Sequence, residues 1–138
     1  MSTTDSIRTI ARKARRFLKL SPMFKVLREL KRRGIKLDEL HALEIFGYTG
    51  EFHVKDYAPY VASLEVWEID PKCESTLKKN FPSATIKITD SLKEIKTTPK
   101  KYNFIIADLC QHYEVFPDCF RVAMDDAILV TDIIPQLT

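Results

Sequence analysis

The chain has 138 residues, of which 45% are hydrophobic and 30% charged, and its formal net charge is +3. This length suits one domain with a substantial core. We expect no membrane span, because no apolar run approaches the ~20 residues that cross a bilayer. We also expect no secretory signal, because the basic N-terminus lacks an apolar core. Cys73, Cys110 and Cys119 form no Cys-x-x-Cys pair, which disfavours a disulfide framework or zinc site and predicts a cytoplasmic protein.

The first forty residues are predicted to form two or three basic helices. Apolar residues recur at helical spacing between Ile7 and Leu18, and lysines and arginines cover the remaining faces. Ser21-Pro22 ends this first helix and opens a second, for which Gly34 suits the C-terminal end. The basic face of the first helix has three interpretations: a solvated surface, which we favour, a nucleic-acid contact, or an anionic membrane contact.

From residue 42 onward, short β-rich runs alternate with helix-like segments. Five runs are predicted as strands, namely 42–46, 64–69, 85–89, 102–107 and 127–132. The segments between them have the length that right-handed crossovers require, and the last two runs are apolar throughout, as in strands covered on both faces. The sequence therefore predicts an α/β, three-layer Rossmann-like sandwich with a mainly parallel sheet of about five strands. We assign residues 1–40 to the N-terminal helices and residues 41–138 to this compact unit.

A glycine turn follows the first predicted strand. The run Leu43-Glu44-Ile45-Phe46-Gly47-Tyr48-Thr49-Gly50 places one glycine at the strand end and another three residues later. Such glycines permit a tight turn and a close approach of the backbone to a ligand. The dinucleotide pattern G-x-G-x-x-G is not met, and no Lys-Ser/Thr follows, so a phosphate-binding P-loop is excluded.

Each later strand is closed by an acidic residue. Glu68 ends the second strand about twenty residues after the glycine turn, a position from which a carboxylate can bind both hydroxyls of a ribose. Asp90, followed by Ser91, comes after the third strand, Asp108 after the fourth and Asp132 at the end of the fifth. Since ligands bind at the carboxyl ends of parallel strands, these carboxylates indicate a ligand site. Asp90 is equally suited to cap the helix that begins at Ser91.

Together these segments resemble the class I S-adenosylmethionine (SAM)-dependent methyltransferase family. The run from Glu44 to Gly50 is similar to its first motif, an acidic residue followed by G-x-G-x-G, with Phe46 at the first glycine. Val-Trp-Glu-Ile-Asp-Pro at 66–71 resembles the ribose-binding second motif, Ile-Thr-Asp-Ser-Leu at 88–92 the third, and Tyr-Asn-Phe-Ile-Ile-Ala-Asp at 102–108 the fourth. The resemblance covers roughly residues 40–135.

The resemblance implies SAM as cofactor and methyl transfer as activity, to an acceptor that is RNA or a small molecule. It implies that Glu44, Gly47 and Gly50 shape the methionine end of the site and that Glu68 holds the ribose. It further places Asp90 and Ser91 beside the adenine, and Asp108 near the sulfonium and the acceptor. The sequence departs from the family in lacking the usual sixth strand and reversed seventh strand, and the Asp/Asn-Pro-Pro-Tyr/Phe motif.

Several alternatives stay open. His112, close after Asp108, is predicted to serve with it in catalysis as a general base, although a lone loop histidine is more often exposed or structural. His53 is predicted to be a surface or packing residue. No metal is predicted, because Asp108 and Asp132 are too few ligands for Mg²⁺. A non-catalytic SAM-, nucleoside- or protein-binding module is the main alternative function, and a SAM-cleaving enzyme is the third.

The fifth predicted strand raises a question of assembly. Ala127–Asp132 is strongly apolar, and soluble proteins cover or pair such an edge. We predict a symmetric homodimer through this edge. Cover by the N-terminal helices, or by strands of a longer chain, would satisfy the edge equally well.

Overall fold

The structure, a computed structural model, describes residues 16–19, 22–109 and 112–132. Six strands are present: β1 Arg16–Lys19, β2 His41–Ile45, β3 Ser63–Glu68, β4 Thr85–Ile88, β5 Tyr102–Ala107 and β6 Ala123–Thr131. Five α-helices connect them: α1 Met23–Arg32, α2 Val54–Tyr57, α3 Glu74–Asn80, α4 Ser91–Thr97 and α5 Phe116–Arg121. Short 3₁₀ turns lie at Leu37–Glu39, Pro71–Cys73 and Tyr113–Val115.

The six strands form one parallel sheet in the order β1-β6-β5-β2-β3-β4. From β2 the chain first moves outward through β3 to β4, and it then returns to place β5 and β6 on the other side of β2. The strand order therefore reverses between β2 and β5. In open α/β sheets, this reversal point creates the crevice where ligands bind.

Two apolar clusters cover the two faces of the sheet. Leu43, Trp67 and Ile105 point toward α4 and α5, whereas Val66 and Phe104 point toward α1, α2 and α3. Neighbouring residues of one strand alternate between the clusters because side chains in a strand point to opposite faces. Helices on both sides of a parallel sheet make the three-layer α/β sandwich that the sequence predicts, and the predicted fold class is confirmed.

All five predicted strands are present: the run 102–107 coincides with β5, and the bounds of the other four differ from the prediction by at most four residues. The largest shift is at β6, which begins at Ala123 rather than at Ala127. Met124, Asp125 and Asp126 in this extension are exposed, so its first half lacks the apolar pattern that identified the second half. The apolar part, Ala127–Thr131, is buried as predicted.

The predicted first helix needs a correction. Its residues 1–15 lie outside the described part of the chain, but Arg16–Lys19 forms strand β1 and pairs in parallel with Ile128–Thr131 of β6. The helical spacing of Phe17 and Leu18 was therefore misleading. Pairing with β6 satisfies backbone donors and acceptors on both strands, and this tertiary gain outweighs local helical periodicity.

The same pairing removes the reason for the predicted homodimer. The apolar edge of β6 is already occupied over Ile128–Thr131 by β1 of the same chain. Intramolecular cover, one of the alternatives, is thus observed, but it is supplied by a strand rather than by helices. The second predicted helix is confirmed as α1, which buries Met23, Val26, Leu27 and Leu30. In the described residues, no helix has the length and apolar character needed to cross a membrane.

Candidate functional site

The acidic residues predicted at the strand ends lie along one edge of the sheet. Glu68 is the last residue of β3, while Asp108 and Asp132 directly follow β5 and β6. Asp90 comes two residues after β4. Because all the strands are parallel, their carboxyl ends meet at the same edge, which includes the reversal point between β2 and β5. We call this row the carboxyl edge.

The turn after β2 has an alternating backbone conformation. Phe46, Tyr48 and Gly50 have φ angles of 55°, 53° and 81°. For a residue with a Cβ, the left-handed conformation costs roughly 1–2 kcal/mol, whereas glycine adopts it freely. The three positions coincide with the glycines of G-x-G-x-G, so Phe46 and Tyr48 occupy conformations that glycine favours. Sequence reasoning matched Phe46 to the first glycine of this motif but did not predict the left-handed φ angles of Phe46 and Tyr48.

Backbone hydrogen bonds hold the turn against its neighbours. The Gly47 N–H donates to the Trp67 carbonyl of β3 at 2.8 Å, and the Gly50 N–H donates to the Gly47 carbonyl at 2.9 Å. The Phe46 N–H donates to the Ser91 hydroxyl at 3.4 Å. The turn is therefore fixed to β3 on one side and to the start of α4 on the other.

Packing within the chain explains both glycines. A Cβ at Gly47 would lie 2.2 Å from Cγ1 of Val66, and one at Gly50 would lie 2.4 Å from Cε2 of Phe81. At neither position are atoms of Glu68 or Asp108 among the three nearest to the added Cβ. The glycines therefore permit close packing of the turn on β3 and on the segment after α3.

Glu68 is a buried carboxylate held by two backbone amides. Its Oε1 accepts from the Tyr48 N–H at 2.7 Å, and its Oε2 accepts from the Asp70 N–H at 2.9 Å. Only 7% of the residue is exposed. An ionised carboxylate has about four acceptor positions, so roughly two remain for a ligand. Glu68 thus links the glycine turn to the end of β3.

Asp90 and Ser91 form the start of α4. Asp90 Oδ1 accepts from the Leu92 N–H at 3.0 Å, which is the N-cap arrangement offered as its alternative role. Ser91 is buried, and its hydroxyl accepts from Phe46 as described. The Thr89 N–H donates to the Glu68 carbonyl at 2.9 Å, so β4 ends directly beside β3. Glu68 and Asp90 therefore lie at the ends of two adjacent strands, β3 and β4.

Glu44, inside β2, lies beneath the carboxyl edge. It is almost completely buried, and the Tyr57 hydroxyl donates to its Oε1 at 2.8 Å. Burial raises the pKa of Glu44 well above its ordinary value; the hydrogen bond from Tyr57 opposes the rise, and the nearby charge of Asp108 adds to it. Protonation of Glu44 is therefore coupled to the charge on Asp108.

Asp108 faces the imidazole of His53, which sequence reasoning predicted to be a surface or packing residue. His53 Nε2 lies 3.7 Å from Asp108 Oδ2, and the two side chains are 17% and 39% exposed. His53 is the residue before α2, so the turn after β2 carries it back over the reversal point. The available sequence signal was its place three residues after Gly50, at the start of the following helix.

His112, the other predicted catalytic residue, has different neighbours. Its ring lies 5.8 Å from the Phe46 ring, and its Nδ1 is 3.6 Å from Glu114 Oε1. It thus flanks the turn at Phe46.

Asp132 Oδ1 accepts from the Leu109 N–H at 3.0 Å and supports the segment after β5. Among the described residues, no three His, Cys, Asp or Glu side chains are grouped so as to hold a metal ion.

Apolar side chains lie exposed beside these polar groups. Ile69, which follows Glu68, is 63% exposed, and the exposed rings of Tyr48 and Phe52 lie 5.8 Å apart. A cavity of about 710 Å³ lies elsewhere. Residues of the segments 58–64 and 80–84 line it, together with the outer side of the glycine turn, and none of the four carboxylates of the carboxyl edge is among them. The candidate site is therefore the open carboxyl edge rather than this cavity.

The fold agrees with solved methyltransferase structures. The chain is similar to N-methyltransferase NodS from Bradyrhizobium japonicum WM9 (TM-score 0.57, 18% identity, covering 78% of this chain and 67% of that one). It is also similar to an S-adenosylmethionine-dependent methyltransferase from Clostridium acetobutylicum ATCC 824 (TM-score 0.62, 11% identity, covering 80% of this chain and 48% of that one). A third similar structure is the ribosomal protein L11 methylase from Lactobacillus delbrueckii subsp. bulgaricus (TM-score 0.61, 12% identity, covering 78% of this chain and 57% of that one).

These similarities define a class of fold. The chain has the Rossmann-like fold found in SAM-dependent methyltransferases with various substrates, and it spans about half to two thirds of the length of those three proteins. No family model matches the sequence, and no curated protein matches it.

Proposed function

We propose that this chain binds SAM at the carboxyl edge and transfers its methyl group to an acceptor beside Asp108. The observation that carries the proposal is Glu68, a buried carboxylate at the end of β3, held by the amides of Tyr48 and Asp70. A carboxylate fixed beside the strand reversal of a parallel sheet suits a ribose diol. The fold shared with SAM-dependent methyltransferases supports the same cofactor.

The side chains near Glu68 fit the other parts of the cofactor. Asp90 uses one oxygen to cap α4, so its second oxygen is available to accept from an adenine amino group. The exposed Ile69 offers an apolar surface to the planar base. SAM, when bound, supplies an electrophilic methyl group on a sulfonium. The chain supplies orientation, because aligning two reactants provides most of the rate in such a transfer.

Asp108 and His53 are proposed to serve the acceptor. An oxygen or nitrogen acceptor loses a proton when it is methylated, and an imidazole paired with a carboxylate is suited to accept it. The separation of 3.7 Å between His53 Nε2 and Asp108 Oδ2 allows the carboxylate to stabilise the imidazolium. His112, across the Phe46 ring, is proposed to line the acceptor side of the same edge.

Calorimetric titration with SAM and with S-adenosylhomocysteine tests the cofactor assignment. Glu68→Gln keeps the size of the side chain but removes its charge, and we expect it to weaken binding about tenfold or more, in line with the ~1.5–3 kcal/mol of hydrogen bonds to charged groups. Glu39→Gln, an exposed change remote from the carboxyl edge, is the matched control. Wild-type affinity in Glu68→Gln would refute the ribose assignment.

A methyl-transfer assay, run alongside these titrations, separates the proposed function from its two rivals. SAM binding without methyl transfer to any acceptor would favour the non-catalytic module, whereas SAM consumption without an acceptor would favour a SAM-cleaving enzyme. A methyltransferase is expected to transfer the methyl group as wild type. It should lose this transfer in Asp108→Asn, with its affinity for SAM unchanged.

A further inference from the structure

Three aromatic side chains stand exposed on the surface formed by α1 and α2. Phe24, Phe52 and Tyr60 are 56%, 67% and 52% exposed, and all three line a shallow groove of about 420 Å³. We call these rings, with Arg28 and Lys31, the aromatic–cationic surface. Exposed apolar area concentrated in one place marks an interaction site more often than scattered single residues do.

Cations lie directly over two of these rings. The Arg28 guanidinium is 5.6 Å from the centre of the Phe24 ring, and the Lys31 ammonium is 5.8 Å from the centre of the Tyr60 ring. Residues 22–36 contain six lysines and arginines but a single acidic residue, Glu29. Glu29 is already bonded to Arg32 and Arg33. The surface therefore combines apolar rings with a net positive charge.

The aromatic–cationic surface is continuous with the candidate site. The Phe52 ring lies 5.8 Å from that of Tyr48, whose backbone N–H donates to Glu68. His53, the residue after Phe52, lies beside Asp108. A long ligand lying across α1 and α2 would therefore reach the acceptor side of the carboxyl edge.

We propose that this surface binds single-stranded RNA. Unpaired bases stack on aromatic side chains regardless of sequence, while lysines and arginines follow the phosphates. A duplex would keep its bases paired and unavailable to the rings. Glu51 and Asp56 also line the groove, and their carboxylates can accept from ribose 2′-hydroxyls, which DNA lacks. RNA as the methyl acceptor rests on the proposed function, but RNA binding itself does not.

A protein partner is the alternative that the test must separate. A peptide would use the apolar area of the groove, so a leucine in place of each ring would largely preserve its binding. A base needs the flat π-face, so the same leucines would weaken RNA binding. The double variant Phe24→Leu/Tyr60→Leu therefore discriminates between the two partners.

Fluorescence anisotropy of a labelled, unstructured 12-nucleotide RNA measures the binding without SAM. We expect Phe24→Leu/Tyr60→Leu to bind at least about tenfold more weakly than wild type, which is about 1.4 kcal/mol. Met124→Ala, which removes an exposed apolar side chain from β6, should bind as wild type does. Unchanged RNA affinity in the double leucine variant would overturn the proposal. Equal affinity for DNA of the same sequence would overturn the assignment to RNA.

Salt dependence tests the cations independently. For single strands, each phosphate that a cation neutralises contributes about −0.7 to the slope of log affinity against log salt. Arg28→Gln/Lys31→Gln should therefore make the slope shallower by up to about 1.4. Lys101→Gln, an exposed change at the amino end of β5, should leave the slope unchanged. A wild-type affinity independent of salt would contradict phosphate binding.

Calorimetry of the same variants with SAM keeps the two proposals distinguishable. None of the substituted residues belongs to the carboxyl edge, so SAM affinity should stay at the wild-type value. If the wild type binds RNA but not SAM, the proposed function alone is refuted. Intact SAM binding with no RNA binding would refute this inference alone.

Discussion

The two halves of the carboxyl edge are built differently. In the half formed by β3 and β4, Glu68 and Asp90 accept three backbone N–H donors between them. In the half at β5, Asp108 is 39% exposed and faces His53 at 3.7 Å. We call Glu68 and Asp90 the fixed half, because the chain itself holds them, and Asp108 the open half, because it is partly exposed. Asp132, whose Oδ1 accepts from the Leu109 N–H, belongs to neither.

This contrast separates stability from chemistry. Removing a carboxylate from the fixed half leaves backbone donors unsatisfied in a buried place, which costs folding free energy. Removing the exposed carboxylate of the open half costs little folding free energy but takes away a group that can exchange protons. The following predictions test this division, from the largest expected effect on stability to the smallest.

Gly50→Val should produce the largest loss. It forces a β-branched residue into a φ of 81° and drives its Cβ into the Phe81 ring. We expect the free energy of unfolding to fall by about 2–5 kcal/mol, the sum of overpacking and left-handed backbone strain. Urea denaturation followed by circular dichroism measures it. Phe81→Leu removes the two closest ring atoms, so Gly50→Ala should cost less stability in a Phe81→Leu background than in wild type. Equal losses of unfolding free energy in the two backgrounds would exclude the ring contact as the cause.

Glu68→Ala should destabilise the protein even without cofactor. Its carboxylate accepts from two backbone amides, and the Tyr48 N–H would be left without its partner. We expect a loss of about 2–4 kcal/mol, based on the strength of hydrogen bonds to charged groups. Glu68→Gln, which retains one acceptor oxygen, should lose less. Thermal unfolding of the two variants measures the difference, and identical melting temperatures for wild type and Glu68→Ala would contradict a fixed half.

Glu44 should give stability a pH dependence. Because burial raises the folded-state pKa of Glu44 above the unfolded value, its contribution is fully present below pH ~4.3 and is lost as the pH rises toward the folded pKa. Glu44→Gln cannot ionise, yet its amide oxygen can still accept from Tyr57. Relative to wild type, the variant should therefore gain stability as the pH rises from 5 to 8. Urea denaturation of both proteins at pH 5 and pH 8 measures this difference. The same stability difference between variant and wild type at both pH values would show that Glu44 does not titrate in this range.

Asp108→Asn should have the smallest effect on stability and the largest on turnover. A partly exposed ion pair contributes about 0–1 kcal/mol, so the melting temperature should barely move. Under the proposed function, methyl transfer should fall at least about 100-fold, within the range of general acid–base contributions. His53→Gln, tested alongside, should show the same division. A large loss of stability in either variant would place Asp108 in the fixed half.

The strand pattern and the acidic strand ends could be predicted because both are local. A run such as Phe104–Ala107 shows its burial in its own composition, and a carboxylate after a strand needs only the strand to be located. The partner of Arg16–Lys19 could not be predicted, because the competing pairing lies far away in sequence. The position of His53 beside Asp108 depends on how the turn after β2 folds back, which no short window of sequence contains.

The left-handed angles at Phe46 and Tyr48 escaped prediction for a different reason. Glycine normally identifies such positions, and neither residue is glycine. Only the alternation with Gly50, together with hydrogen bonds from Phe46 to Ser91 and from Tyr48 to Glu68, makes the conformation understandable. The surrounding contacts stabilise what the local sequence disfavours.

The pairing of β1 with β6 also determines an order of events during synthesis. Arg16–Lys19 leaves the ribosome long before its partner Ile128–Thr131 is made. Joining them closes a loop that contains every other described strand, and such distant contacts form late. We therefore expect the other five described strands to assemble first and β1 to join the sheet last.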